Sequence, residues 1–512
     1  MLAAMPLPPT TTPSGDETPV RGRDDACPGA LRLHPADDGS LARIRVPGGL
    51  LTARQAAALG RLAEELGDGR LDITSRGNLQ VRGLDTGCGA ELAARLRAAG
   101  LLPSDRHDRV RNIVASPLSG LDGGGHADVV AWVRKLDAVL CDDTPAGGAE
   151  LSGLSGRFLF ALDDGRGDVA ALGADVTLIA TPDGGAVLWV GGPPPGPDVP
   201  SPSTGAARPD AAGRRGFRTA GSAVGGGLRV RGEDAPRAAA LAAVEFLAKA
   251  RESGTRVWRV RELPARHAVT TGGLAARLAD AGVEAVSVEH EPAPRARATP
   301  PGPGPVPGPD GRHALSIALP LGRVSAAQWR LLAALASRSG AAELRMTPWR
   351  GVVLPGFAPD DTRGALAELS DAGLVTTPGS PWLGVGACTG RPGCAKSLAD
   401  VRADTARMVA DPALRTSGTG RGAADPAPGA SGTVWSDPLP VYVSGCERRC
   451  GHPGGRWVDA LATGDTDYRV TVRGAKQDTP EADSADSADS VHSVDVTAEQ
   501  LAGAVAAARG TT

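Results

Sequence analysis

A chain of 512 residues with 41% hydrophobic and 22% charged side chains has material for several packed cores and is too apolar to be disordered throughout. Its 55 basic and 58 acidic residues leave a formal charge of −3, which argues against a general nucleic-acid or anionic-membrane binder, because those carry a clear positive excess. No apolar run approaches the roughly 18 residues of a membrane-spanning helix.

Residues 1–24 are rich in Pro and Thr and lack the basic start and apolar run of a signal peptide. A disordered N-terminus and a cytoplasmic protein are therefore expected, and there the seven cysteines are not expected to form structural disulfides. From Leu41 the pattern reads strand, turn, helix, strand, strand. Thr52 and Gln55 have the spacing of a capping box. Leu59, Leu62, Ala63 and Leu66 give a helical stripe. Leu71/Ile73 and Leu79/Val81 then alternate as half-buried strands do. Further on, helices are predicted near Glu91–Ala99, Ala127–Leu140 and Ala235–Ala250, and strands at Arg157–Ala161 and Leu228–Val230. The opening grammar returns at 314–357: laid on 41–84 without a gap, 12 of 44 positions are identical, and Ser325 and Gln328 repeat the capping box. Repetition at a fixed offset predicts a duplicated, pseudo-twofold α+β protein with a site where its halves join.

The predicted organisation is a first half-domain at 25–104, an α+β domain at 105–290, a second half-domain at 311–380 and a cysteine-bearing α+β domain at 381–477. A C-terminal helix and tail are expected at 496–512. Four low-complexity stretches, 191–215, 291–310 (the linker between halves), 416–432 and the acidic 478–495, are expected to be coil without chemistry.

Cys388 and Cys394 form a C-x5-C motif, and Cys446 and Cys450 a C-x3-C motif. Two spaced thiol pairs in a cytosolic chain most often ligate metal. Structural zinc favours pairs two to four residues apart, whereas a cubane iron–sulfur cluster accepts wider spacing, because each thiolate binds a different corner. Zinc and unligated core thiols are the alternatives. Gly384, Gly386, Gly390 and Gly393 are expected to let backbone approach inorganic sulfide. Leu398, Val401, Thr405 and Met408 are expected to form one helix face, and the strand Val441–Val443 to deliver Cys446. Cys27, Cys88 and Cys141 share no ligand spacing, and buried thiols of this kind are common. His452, two residues past Cys450, could move a proton or bind a second iron, a structural hydrogen bond being the commoner role. No Gly-x-Gly-x-x-Gly follows a strand, so no nicotinamide-binding fold is indicated.

The paired cysteine motif, together with the turn Thr74-Ser-Arg76-Gly-Asn78, resembles the sulfite/nitrite reductase superfamily. That resemblance implies an internally duplicated α+β architecture, with two ferredoxin-like half-domains related by pseudo-twofold symmetry and two larger α+β domains around a central site. It implies that Cys388, Cys394, Cys446 and Cys450 hold a 4Fe-4S cluster; in siroheme members the match to Cys450 also bridges to the haem iron. Arg76 and Arg111 match anion-binding arginines. Where sulfite reductases place two lysines two residues apart, this sequence has Arg157 and Leu159. Losing one cation weakens a six-electron reductase, whose small anion needs a dense cationic cage. Without the resemblance, all three arginines would read as ordinary surface or salt-bridge residues. The stretches 26–33, 70–84, 111–122, 387–404 and 441–455 are most similar to the precorrin-3B synthase branch. This implies oxygen-dependent hydroxylation of precorrin-3A with γ-lactone closure, as in aerobic cobalamin biosynthesis. It also implies a mononuclear non-haem iron of unassigned ligands, and NADH-derived electrons from an external reductase or ferredoxin. Precorrin-3A and O2 would be the substrates, with no nucleic-acid or membrane partner. The rival readings are a siroheme-dependent assimilatory sulfite or nitrite reductase and a non-enzymatic metal-binding scaffold.

Overall fold

The computed structural model describes residues 25, 27–142, 144, 149–192, 226–288, 300–416, 438–474 and 493–510. The expectations for 1–24, for most of 191–215 and 478–495, and for 417–432 lie outside them. The chain divides into two compact units, one built mainly from Arg109–Gly120 and Gly124–Thr299, the other from Pro28–Asp108, Leu121–Gly123 and Pro300–Thr512.

In the second unit the repeat is real and close to residue-for-residue. Thr52 and Ser325 both form complete capping boxes, with Gln55 and Gln328, at the starts of helices Ala53–Leu66 and Ala326–Arg338. The Gln55 amide goes on to donate to the Ala99 carbonyl and that of Gln328 to the equivalent Ala372. The two turns match bond for bond. Thr74 takes the Asn78 carbonyl (2.8 Å) and Gly77 N–H meets the Thr74 carbonyl (3.0 Å); Thr347 with Gly351 (2.9 Å) and Arg350 with Thr347 (3.0 Å) do the same.

The two halves share their hydrogen-bonded sheets, because each lends a strand to the other. Strand Leu50–Thr52 pairs antiparallel with Glu343–Met346, and strand Arg323–Ser325 with Arg70–Ile73. Alternating hydrophobicity says which face a strand buries but not which neighbour it pairs with, so this exchange is invisible to patterning. The two capped helices pack against each other, where the fully buried Trp329 donates its indole N–H to the Ala56 carbonyl at 2.7 Å. A Cβ on Gly60 would come within 3.1 Å of that ring.

The linker expected at 291–310 is not coil throughout: Gly304–Pro307 is a strand paired with His313–Ala318. It lies at a sheet edge, the position where its two prolines are tolerated. Residues 493–495, expected within acidic coil, open the strand Ser493–Thr497.

The first unit carries a six-stranded sheet in the order Ala285–Val288, Gly227–Arg231, Gly185–Val190, Val176–Ala180, Phe160–Asp163, Ile113–Ala115. The strand expected at Arg157–Ala161 starts later, at Phe160, because Phe158 N–H closes a turn onto the Ser155 carbonyl. Phe158, Phe160 and Phe246 meet ring to ring in its core. No helix among the described residues is long and apolar enough to cross a membrane.

Candidate metal centre

Both cysteine motifs hang from one sheet of the second unit. Strands Val385–Ala387, Val441–Ser444 and Trp457–Ala462 run parallel to one another in adjacent positions. Cys388 immediately follows the first strand and Cys446 lies just beyond the second, so both leave the same carboxyl edge. Cys388 N–H donates to the Val443 carbonyl at 3.0 Å. Gly445 N–H donates to Cys388 Sγ at 3.2 Å, while the Gly445 carbonyl accepts from Leu398 N–H at 2.8 Å.

Side chains from the duplicated halves hold these loops from outside. Arg82, paired through Nε and Nη2 with Asp38 (2.8 and 2.7 Å), also donates to the carbonyl of Gly393, beside Cys394 (2.8 Å). Asp37 accepts from Ala395 N–H. Arg402 Nε donates to the Cys388 carbonyl at 3.3 Å and Nη2 lies 3.3 Å from Asp72. The Tyr442 hydroxyl donates to the Cys450 carbonyl. Burial pushes that hydroxyl up to about 12, with the Arg350 guanidinium acting against it.

All four cysteines are free thiols, with Cys450 exposed and the others half-buried. Burial pushes the Cys388 thiol up; the N–H groups of Gly445 and Gly390 oppose this, and the neighbouring Cys446 and Cys394 thiols add to it. Four sulfurs on a zinc ion, each about 2.3 Å from the metal, must lie within about 4.6 Å of one another. Among the described residues, the one group of three metal-ligating atoms that close is Asp163, Asp164 and Asp168. The four cysteines are soft thiolate donors carried on two separate loops, a donor set that a cubane takes at its separate corners. Residues and group fit.

The structure gives some of the glycines that the sequence singled out a second reason. A Cβ on Gly386 would meet the Tyr442 ring at 2.9 Å, one on Gly390 would meet Val401 at 2.8 Å, and one on Gly393 would meet Asp38 at 2.7 Å. These positions make room for protein side chains. Leu398 is not on the helix face: it precedes helix Val401–Ala410 and is 41% exposed, whereas Val401, Thr405 and Met408 are buried as expected. His452 stacks on Trp457 (5.2 Å, 13°) and bonds to the Pro453 carbonyl, a structural role. In the first unit the Cys27 thiol is buried against the Gly156 carbonyl.

The three arginines fare differently. Arg76 is half-buried in its turn, its N–H on Thr74 Oγ1. In the other unit, Arg111 forms a bidentate pair with Asp137 (2.7 and 2.8 Å) and is nearly buried, so it braces helix Val130–Leu140. Arg157 is half-exposed, with its guanidinium 4.6 Å from the Trp258 ring centre and 3.9 Å from Asp25. Asp25 in turn accepts from Ser155 Oγ and Gly156 N–H, both at 2.8 Å, which fixes the loop before Arg157. Leu159 is buried, its N–H on Asp175, and serves core packing. Sequence reasoning missed Arg82, Arg350, Arg402, Tyr442 and Gly445. Only Gly445, next to Cys446 at a strand end, carried a local signal.

The two strand-exchanged halves beside the four-thiol cradle belong to a family of half-domains found in nitrite and sulfite reductases. The nitrite/sulfite reductase ferredoxin-like half domain matches twice, at residues 34–99 and 306–372. Ferredoxin–nitrite reductase of Synechococcus elongatus is 38% identical over 163 residues, but that match spans 30% of this chain and only 31% of the relative. Precorrin-3B synthase of Sinorhizobium is 25% identical over 461 residues, 90% of this chain and 85% of the relative. The NirA protein of Mycobacterium tuberculosis shares the fold, with a TM-score of 0.60 at 19% identity over 90% of this chain and 79% of that one. The expected duplicated α+β architecture is thereby confirmed.

Proposed function

We propose that this chain is an iron–sulfur oxidoreductase acting on a reduced tetrapyrrole, namely a precorrin-3B synthase. The observation that carries this reading is the extent of the likeness: at 25% identity the precorrin-3B synthase relative aligns along 85% of its own length, the chloroplastic nitrite reductase of Zea mays along 67%. Leu159 adds to it, since a buried apolar residue stands where a reductase keeps a cation.

In the overall reaction one oxygen atom of O2 enters precorrin-3A as a hydroxyl and the other leaves as water. Two electrons and two protons come from an external donor fed by NADH. Lactone closure adds a carboxyl to the ring without further redox change. Cys388, Cys394, Cys446 and Cys450 would hold the cluster, which supplies one-electron transfer when bound; a mononuclear iron is proposed without assigned ligands. A guanidinium such as that of Arg76 in the second unit has the planar, two-pronged geometry to take a peripheral carboxylate of the substrate. Trp258 and Asp25 orient Arg157, and Arg111 contributes by holding the first unit's helix.

The second reading, a siroheme nitrite or sulfite reductase, is favoured by the higher local identity of the Synechococcus match. Anaerobic purification with iron, sulfide and tetrapyrrole analysis separates the two. The expected result is four irons and four sulfides per chain for the cluster, no siroheme, and oxygen-dependent turnover of precorrin-3A. Stoichiometric siroheme, or efficient turnover of nitrite or sulfite with an artificial donor, would overturn the proposal in favour of the reductase.

A further inference from the structure

Arg350 sits in the second turn at the place that Gly77 holds in the first, and both adopt left-handed backbone, with φ of 62° and 65°. For glycine that conformation carries no steric penalty; for arginine it does. The strained residue is not idle. Its guanidinium lies beside the Tyr442 hydroxyl, both flanking Gly451, and that hydroxyl donates to the carbonyl of Cys450. Three glycines open the space the pair occupies. A Cβ on Gly322 would meet the Arg350 side chain at 2.6 Å, one on Gly386 the Tyr442 ring at 2.9 Å, and one on Gly451 the Tyr442 hydroxyl at 2.9 Å and Arg350 Nη2 at 3.5 Å.

We propose that Arg350 and Tyr442 are a positioning pair for the Cys450 loop, and that the Arg350 charge favours the reduced state of the group the four cysteines hold. This rests on the iron–sulfur reading above. The reasoning is electrostatic. A cluster gains one negative charge on reduction, and its potential follows the charges and hydrogen bonds around its sulfurs. A fixed guanidinium at the loop of the most exposed ligand stabilises that added charge, while Tyr442 relays the hold to the backbone of Cys450. Retaining an arginine where the sister turn uses glycine gives backbone strain a compensating purpose.

The test uses full-length protein reconstituted anaerobically with iron and sulfide, and an EPR-monitored reductive titration. Arg350→Gly relieves the backbone strain, so its melting temperature should match or exceed that of the parent and the cluster should assemble. At a fixed potential its reduced-to-oxidised ratio should nevertheless fall about tenfold, whereas Arg350→Lys should stay near the parent value. Tyr442→Phe should lose its cluster in air several-fold faster than the parent. An unchanged titration curve for Arg350→Gly, a lysine variant that behaves like the glycine one, or parental air stability in Tyr442→Phe would each overturn the assignment. A parent protein that takes up no cluster would instead overturn the iron–sulfur reading, and this inference with it.

Discussion

Gly445→Ala is the sharpest probe of the cradle. Gly445 is not among the residues with positive φ, so alanine brings no backbone conflict and the effect is purely one of space. Its Cβ would lie 1.8 Å from Ser397 Oγ and 2.8 Å from Ser397 Cβ. Ser397 cannot swing clear, being 1% exposed with its hydroxyl on the Ala399 carbonyl. The strand end must move instead, and with it the bonds from Gly445 N–H to Cys388 Sγ and from Leu398 N–H to the Gly445 carbonyl. Overpacking and two weakened hydrogen bonds together predict a loss of about 2–4 kcal/mol. Urea denaturation of the apo protein measures it, and iron and sulfide content after reconstitution should drop in parallel. Ser397→Gly removes both clashing atoms, so the double variant should recover about 1–2 kcal/mol relative to additivity. A Gly445→Ala protein within about 0.5 kcal/mol of the parent, which is the range of an inconsequential surface change, would refute the placement of Ser397 against Gly445.

Cys→Ser at any one of positions 388, 394, 446 or 450 should abolish or badly degrade cluster absorbance, because a hydroxyl is a poor ligand for a soft site; Cys88→Ser and Cys141→Ser should leave iron and sulfide content intact. Trp329→Phe strands the Ala56 carbonyl bond and should cost about 1–2 kcal/mol in urea denaturation. Burial, and then the neighbouring Asp163, push Asp168 up to about 7, so the native state holds this proton to higher pH than the unfolded chain and stability falls as pH climbs from about 4 to 7. Asp168→Asn keeps an acceptor for Ser116, and should flatten that slope and raise stability at pH 8 by about 1–3 kcal/mol; an unaltered slope in pH-dependent melting would count against it.

What was legible in the sequence is what short-range chemistry encodes. Capping boxes at Thr52 and Ser325, the apolar stripe of the first helix and the strand delivering Cys446 all depend on neighbours within a few residues, and all are present. The cysteine spacing favoured a cubane over a compact zinc site, and both motifs leave neighbouring strands of one sheet. What stayed hidden depends on partners far along the chain. Arg82 meets Gly393, Arg323 and Arg402 meet Asp72, and Asp37 meets Ala395. No local pattern marks an arginine as a brace rather than a solvated side chain. The edge strand at 304–307 was missed because its prolines and glycine read as coil, although an edge position removes the objection to them.

The duplication also shows how one scaffold came to serve two ends. In the first copy, Gly48 and Gly77 supply left-handed backbone; in the second, Leu321 and Arg350 stand at the equivalent places with φ of 55° and 62°. Each exchange costs about 1–2 kcal/mol of backbone strain, so neither is neutral by propensity alone. Both new side chains reach the cysteine-bearing sheet. Leu321 packs against its apolar core, and Arg350 lies beside Tyr442 near Cys450. The first copy, by contrast, keeps glycine at these places and carries Arg76 one residue earlier, where the second has Trp349. The copies differ along strands, helices and turns alike, yet the strands and helices keep their register. A fold that exchanges strands between halves cannot shift those elements independently. Its turns are under no such constraint, and in the second copy two of their side chains reach the cysteine-bearing sheet.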